Sequence, residues 1–362
     1  MVFLLVLPTD RLGGAERVAM NLVRFLAKNE KNLIYVHFLS MDDSKCWHEF
    51  KNKPTVHITY SFASSVKVGF INFLKVLHKI DGNINYIYST HTHVNMVLCI
   101  LRRVKTLQCE NLILRESSIL STRFGGIKKW LINICYLPYG VQDLLICQTQ
   151  LMKQKLIEHR GRRISKNSIV ISNPIDLEKI QSNSKVSYYE LDSKRFNVVM
   201  VGRLVEIKNH KLVIEALSRT KLDLNLVIVG DGPLKKDLYE LAEGLNSKTK
   251  FEFVGNVSNP YKFMKGADLG IISSFSEGFP NVLIEMMAAG TKDIIITPCT
   301  GDLELIPAIT ITTGFGVEEM VKIINEKFST PVDNSITYES YSTSRDIASY
   351  WSRIEEVLEN KL

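Results

Sequence analysis

FNVVMVG at 196–202 and LNLVIVG at 224–230, with NHKLVIEALSRT at 209–220 between them, decide how this chain is to be read. Each apolar run is short, rich in β-branched residues and closed by glycine. The segment between them mixes apolar and polar residues as a helix with one buried face does. Together they make a β-α-β unit, because a strand covered on both faces of a parallel sheet reads as a continuous apolar run. The same texture continues through PLKKDLYELAEGL, FEFVG, NPYKFMKGA, LGIISS, NVLIEMMAAG and DIIIT. Toward the N-terminus it recurs in VFLLVLP, LIYVHFL, NYIYST, NLILR and DLLICQT. The first helix candidate, AERVAMNLVRFLAKN, keeps Ala15, Val18, Ala19, Leu22, Phe25 and Leu26 on one face.

Two α/β domains are therefore expected, at 1–175 and 196–342. The polar stretch at 176–195 reads as a linker, and an amphipathic helix within 343–362 is free to pack back on the first domain. A chain of 362 residues with 45% apolar and 23% charged residues has the composition of a soluble protein with substantial cores. The apolar start, which ends at Pro8 without a basic leader, reads as a buried strand and not as a signal peptide. No run of about 18 apolar residues suggests a membrane span. The six cysteines form no C-x-x-C pair, which fits reduced thiols in a cytoplasmic protein.

The net charge of +7 hides an asymmetry: residues 1–173 carry +13 and residues 174–362 carry −6. A basic half suits nucleic acid, an anionic membrane surface or a phosphorylated ligand.

In open parallel sheets, ligands gather at the carboxyl ends of the strands, so the residues just after each strand are the candidates. After the first strand, Gly13 and Gly14 precede a helix whose free N–H groups suit an anion. After 196–201, Arg203 and Lys208 offer two cations suited to a diphosphate. The G-x-G of VIVGDGPL lacks a third glycine and runs at once into Pro233, so it reads as a turn and not as a dinucleotide fingerprint. In SEGFPNVLIE (276–285), Gly278 and Pro280 put Glu277 in a loop and Glu285 on the helix that follows, Pro280 being suited to a first turn.

GGAER, VGRLVEIK, IVGDGPL, FVGNV and SEGFPNVLIEMMAAG, in this order and spacing, resemble the retaining nucleotide-sugar glycosyltransferases of family 4. The resemblance spans nearly the whole chain and is densest over 196–300. It implies the GT-B fold, two Rossmann-like domains whose parallel sheets face a central cleft. It also implies that Glu277 contacts donor-sugar hydroxyls, that Glu285 accepts hydrogen bonds from the ribose, and that Arg203 and Lys208 grip the diphosphate. Gly13 and Gly14 would form the glycine loop facing it. Gly278, Phe279, Pro280, Asn281 and Val282 would meet sugar and phosphate, and Val257 the base.

A nucleotide diphosphate sugar, UDP-linked, is then the co-substrate. No further cofactor and no metal are expected, and the chain has no Asp-x-Asp motif. Where many members have a histidine after a strand of the first domain, this chain has Arg115, Glu116 and Ser117. His91 and His93 stand one strand earlier, and His93 joins Arg115, Glu116 and Ser117 as a candidate on the acceptor side. The acceptor would be a lipid-linked glycan or polysaccharide at an anionic membrane surface, with no role for nucleic acid. RRVK (102–105), RFGGIKKWLINICYLPYG (123–140) and HRGRR (159–163), with Trp130, Tyr136 and Tyr139, have the composition of such a surface. The competing readings are a sugar-nucleotide-binding protein or epimerase of the same fold and, resting on GDGP alone, a dehydrogenase.

Overall fold

The computed structural model describes residues 1–362 except 41–45, 62–65, 78–79, 81–82, 118–125, 161–166, 189–194 and 361–362. The chain forms two compact units, one of 1–174 with 347–362 and one of 175–346.

In the first unit, β1 (Val2–Leu7), β2 (Leu33–Phe38), β3 (Val56–Tyr60), β4 (Tyr86–Ser89), β5 (Asn111–Arg115), β6 (Leu144–Cys147) and β7 (Ser168–Val170) make one parallel sheet in the order β3-β2-β1-β4-β5-β6-β7. The crossovers carry α1 (Gly14–Leu26), α2 (Val66–Leu77), α3 (Thr92–Arg103), α4 (Gly126–Cys135) and α5 (Gln150–Arg160). The apolar run of β1 is explained by its position. It pairs with β2 and β4, and Leu4, Val6 and Leu7 are fully buried.

The second unit opens with α6 (Leu177–Asn183), where the polar composition suggested a linker. Asp176 Oδ1 caps this helix by accepting from the Lys179 N–H at 3.1 Å, and Ile180 is buried. Two turns are too short to show a helical period in sequence. The sheet follows as β8 (Phe196–Val201), β9 (Leu224–Val229), β10 (Lys250–Gly255), β11 (Leu269–Ile272), β12 (Ile294–Ile296) and β13 (Thr310–Ile311), all parallel, in the order β10-β9-β8-β11-β12-β13. Its helices are α7 (His210–Arg219), α8 (Lys235–Gly244), α9 (Tyr261–Met264), α10 (Asn281–Ala289), α11 (Val317–Ser329) and α12 (Ser335–Thr343).

The last helix, α13 (Ile347–Glu359), belongs to the first unit. Trp351 meets Phe3 and Tyr86 edge-on at ring separations of 5.6 and 5.2 Å, and the Tyr350 and Tyr88 hydroxyls lie 2.9 Å apart. Buried aromatic contacts of this kind hold a helix far more strongly than its own propensity.

The G-x-G of 230–232 has a packing role. Gly230 has φ +147°, and a Cβ there would stand 1.9 Å from the Gly202 carbonyl oxygen; one at Gly232 would stand 2.3 Å from that of Leu204. The two glycines let the turn after β9 press against the segment after β8. Gly230→Ala is expected to destabilise the chain by about 2–4 kcal/mol through backbone strain and overlap. Gly244→Ala, where a Cβ meets nothing within 4 Å, should leave the urea midpoint within experimental error of wild type.

Candidate functional site

β8 and β11 are neighbours in the second sheet, pairing Val198 with Leu269 and Val199 with Gly270. Their carboxyl ends therefore deliver two loops side by side. The first carries Arg203 and then a single 3₁₀ turn, Glu206–Lys208, closed by Asn209 in the left-handed region at φ 49°. Ser273 ties the second loop to the first, its hydroxyl donating to the carbonyls of Lys208 and Asn209, both at 2.9 Å. The Phe275 N–H adds a bond to the Ile207 carbonyl at 2.8 Å. Residues some seventy positions apart are thus locked into one piece of surface.

Lys208 Nζ lies 2.5 Å from Glu277 Oε1, and the Ser274 hydroxyl donates to the same oxygen at 2.8 Å. The two side chains of this ion pair are 25% and 17% exposed, partly screened but still within reach of a ligand. Arg203 is exposed, and its side chain makes no hydrogen bond or ion pair with any described residue, while its carbonyl accepts from the Val205 N–H at 2.9 Å. The segment after β12 clamps the loop from the other side: the Glu277 N–H donates to the Cys299 carbonyl at 2.7 Å and the Thr300 hydroxyl to the Gly278 carbonyl at 2.7 Å. Burial first, then the negative charge of Glu277, pushes the Cys299 thiol up to about 12, which makes it an inert neighbour.

Pro280 is the N-cap of α10, so the first turn, with Asn281 and Val282, sets the positive amino end of a helix right after Glu277. Phe279 is buried and stacks into the core with Leu283 and Ile284. Glu285 is buried on the same helix, and Val257 packs half-buried against the same core. The structure therefore brings together Arg203, Lys208, Glu277, Gly278 and the start of α10. It adds Ser273, Ser274 and Thr300, which the sequence reading did not single out; only the serine pair directly after a strand hinted at them.

His210, the first residue of α7, is 3% exposed, and its Nδ1 has no hydrogen-bond partner. It lines a small cavity with Lys208, Ser273, Ser274 and Val282. Burial, then the Lys208 charge, lowers its pKa to about 4. The imidazole is therefore neutral in the folded chain at pH values where the unfolded chain protonates it.

In the first unit, Gly13 is the N-cap of α1, and its N–H donates to Glu16 Oε2 at 3.1 Å. A Cβ on Gly13 would sit 2.7 Å from that oxygen, so the end of the Glu16 side chain would have to shift to admit one. Glu16 Oε1 lies 3.1 Å from His91 Nε2. Burial raises the Glu16 pKa, but the bond and charge of His91 and two backbone N–H groups outweigh it, and the net shift is downward. His93, in the first turn of α3, is exposed 5.8 Å from the His91 ring, its pKa lowered by partial desolvation and then by His91.

Arg115 and Glu116 are not presented to solvent; each is 1% exposed. Glu116 takes hydrogen bonds from the hydroxyls of Thr92, Tyr136 and Tyr139 at 2.8, 2.9 and 2.8 Å and from Asn95 Nδ2 at 3.3 Å. It is a structural knot, and burial still holds its pKa up. Arg115 Nη2 donates to Asn173 Oδ1. Ser117 is half-buried at the loop that follows.

Two of the aromatics read as surface residues, Tyr136 and Tyr139, are consequently buried, while Trp130 is 61% exposed. Arg102 pairs with Asp143 at 2.8 Å, and Arg103 donates to the Pro138 carbonyl at 3.0 Å, so the 102–105 cluster is partly committed inside its own unit. Residues 123–125 and 161–163 of the basic stretches lie outside the described residues.

Residues 184–331 match the family model described as glycosyl transferases group 1. An N-acetylgalactosamine-N,N'-diacetylbacillosaminyl-diphospho-undecaprenol 4-alpha-N-acetylgalactosaminyltransferase of Campylobacter jejuni is 29% identical over 305 residues, covering 81% of this chain and 80% of that protein. Among solved structures, Anabaena HepE in complex with UDP and glucose is similar with a TM-score of 0.79 at 20% identity, over 99% of this chain and 100% of that one. The apo form of the lipopolysaccharide outer core galactosyltransferase WaaB gives 0.72 at 17%, over 100% of both.

The neutral His210 makes stability depend on pH. Its folded pKa lies below the unfolded value of about 6.5, so its contribution is complete above pH 6.5 and is lost as pH falls toward 4, by about 3 kcal/mol at most. Urea denaturation of His210→Gln at a series of pH values should show a correspondingly shallower loss over that window than wild type.

Proposed function

Residues 184–331 belong to the glycosyl transferases group 1 family and the chain has the GT-B fold; on that footing we propose that it moves a hexose or N-acetylhexosamine from a UDP-linked sugar, with retention and without a metal, to a lipid-linked glycan in bacterial surface-glycan assembly. The observation that carries this reading is the loop pair of the second unit: exposed Arg203, Lys208 and Glu277 directly before the positive amino end of α10. The acceptor class is supported by the name of the Campylobacter relative, and the nucleotide by the UDP bound in the Anabaena structure.

When the bond between the sugar and the diphosphate breaks, negative charge grows on the leaving phosphate oxygens. Arg203, Lys208 and the N-terminal end of α10 are fixed donors for that charge, and such preorganised groups act on the transition state more than on the bound donor. Glu277 accepts hydrogen bonds from sugar hydroxyls and steadies a cation-like ring. The acceptor hydroxyl attacks on the face the phosphate leaves, forming the new glycosidic bond with retention, and its proton passes to a leaving phosphate oxygen. No side-chain base is needed in this scheme.

A peripheral membrane position follows from the same reading. No described helix is long and apolar enough to cross a membrane. Trp130, Ile134, Leu137 and Val104 of the first unit are exposed, and Arg103 joins α3 to the segment after α4. An aromatic with apolar neighbours beside basic residues suits the headgroup level of an anionic bilayer.

A thermal-shift panel of nucleotide sugars followed by mass spectrometry of the product tests the reaction. Arg203→Ala and Lys208→Ala should each lower kcat/KM by about a hundredfold, and Glu277→Ala should lose the slow donor hydrolysis that wild type shows without acceptor. Binding of a sugar nucleotide with neither hydrolysis nor transfer would overturn the transferase reading. In cosedimentation with anionic vesicles, wild type should pellet at low salt and be released at high salt, and Trp130→Ala should pellet less; wild type left wholly in the supernatant would refute the membrane position.

A further inference from the structure

Glu277 and Lys208 are proposed to act on different parts of the donor, yet the structure pairs them with each other. Lys208 Nζ and the Ser274 hydroxyl both converge on Glu277 Oε1, while Oε2 accepts from no described residue. The loop cannot easily draw the carboxylate away, because the Glu277 N–H and the Gly278 carbonyl are held by the Cys299 carbonyl and the Thr300 hydroxyl. Lys208 is equally confined, its own carbonyl pinned by Ser273. Any phosphate that approaches Lys208 therefore meets a carboxylate already bound there, in a place only partly open to solvent, where charges are screened less than at a free surface.

Resting on the reading above, we propose that Glu277 is a specificity-determining residue that distinguishes the sugar-bearing donor from the sugarless nucleoside diphosphate, through its ion pair with Lys208. A diphosphate esterified at both ends carries two negative charges. The free nucleoside diphosphate ends in a phosphate monoester whose second ionisation lies near pH 6, so at neutral pH it carries close to one more. Sugar hydroxyls on the donor donate to the open Oε2 and offset the cost of drawing Lys208 from the carboxylate to the diphosphate. The product has lost those hydroxyls and gained a charge, and it must share Lys208 with Glu277 without compensation. The same carboxylate that accepts the sugar thereby weakens retention of the spent nucleotide.

The prediction has a definite sign. Glu277→Gln keeps the shape and one acceptor oxygen but removes the charge. By calorimetry, UDP and inorganic pyrophosphate should bind this variant about three- to tenfold more tightly than wild type, the size expected for one partly screened charge pair. The sugar nucleotide preferred in the donor panel should bind it no more tightly than wild type, because a charged hydrogen bond to the sugar is lost. In a Lys208→Met background the same Glu277→Gln change should alter UDP binding by less than about twofold, the cycle isolating the pair.

UDP binding to Glu277→Gln equal to or weaker than wild type would overturn the proposal, as would the same tightening in the absence of Lys208. Either result, with wild type still transferring sugar, leaves the transferase reading standing. A wild-type chain that binds neither UDP nor any sugar nucleotide would instead overturn the reading on which the proposal rests.

Discussion

Parallel pairing of β8 with β11 is the constraint from which the candidate site follows. Every strand of a parallel sheet points the same way, so each crossover returns its loop to the same edge. Pairing Val198 with Leu269 and Val199 with Gly270 sets the loop of Lys208 beside the loop of Glu277, and Ser273 then bonds one to the other. The glycines of 230–232 serve the same end from the far side, by letting the turn after β9 close against Gly202 and Leu204. Rigidity here comes from backbone and hydroxyl hydrogen bonds between loops, which lets a loop hold charged groups in place.

Two carboxylates at strand ends show how environment, not residue type, decides use. Glu116 follows β5 and is surrounded by four donors inside its own unit, so its bonding capacity is spent on structure. Glu277 follows β11, shares one oxygen with Lys208 and Ser274, and keeps the other open. From sequence the two looked alike: each is an acidic residue shortly after an apolar run. What separates them is the set of helices packed beside the strand end, Thr92 and Asn95 on α3 with Tyr136 and Tyr139 beyond α4 in the first case and the half-buried start of α10 in the second.

Of the thirteen strands among the described residues, those buried on both faces were legible as apolar runs: β1, β2, β4, β5 and β6, then β8, β9, β11 and β12, with the edge strand β10 also visible as FEFVG. The strands the pattern did not reveal, β3, β7 and β13, are all edges of their sheets. VHITY is mostly half-exposed, and SIV and TI are two or three residues long. An edge strand buries less and so carries a weaker apolar signal. α6 escaped notice for a related reason, since two turns with one fully buried residue, Ile180, leave no period to read.

The sequence by itself determined the α/β class, the two halves, and which residue types stand at the strand ends, because burial on both sheet faces and the glycine, proline and charge chemistry of turns are local properties of the chain. Only the tertiary structure decided which of those residues are available. Glu116, Tyr136 and Tyr139 are turned inward by packing against α3, α13 claims its place on the first unit through Trp351 and Tyr350, and Lys208 meets Glu277 because two strands distant in sequence are neighbours in the sheet. Partners brought together across such a distance leave no periodicity in the sequence, since what joins them is hydrogen-bonded pairing of strands and not proximity along the chain.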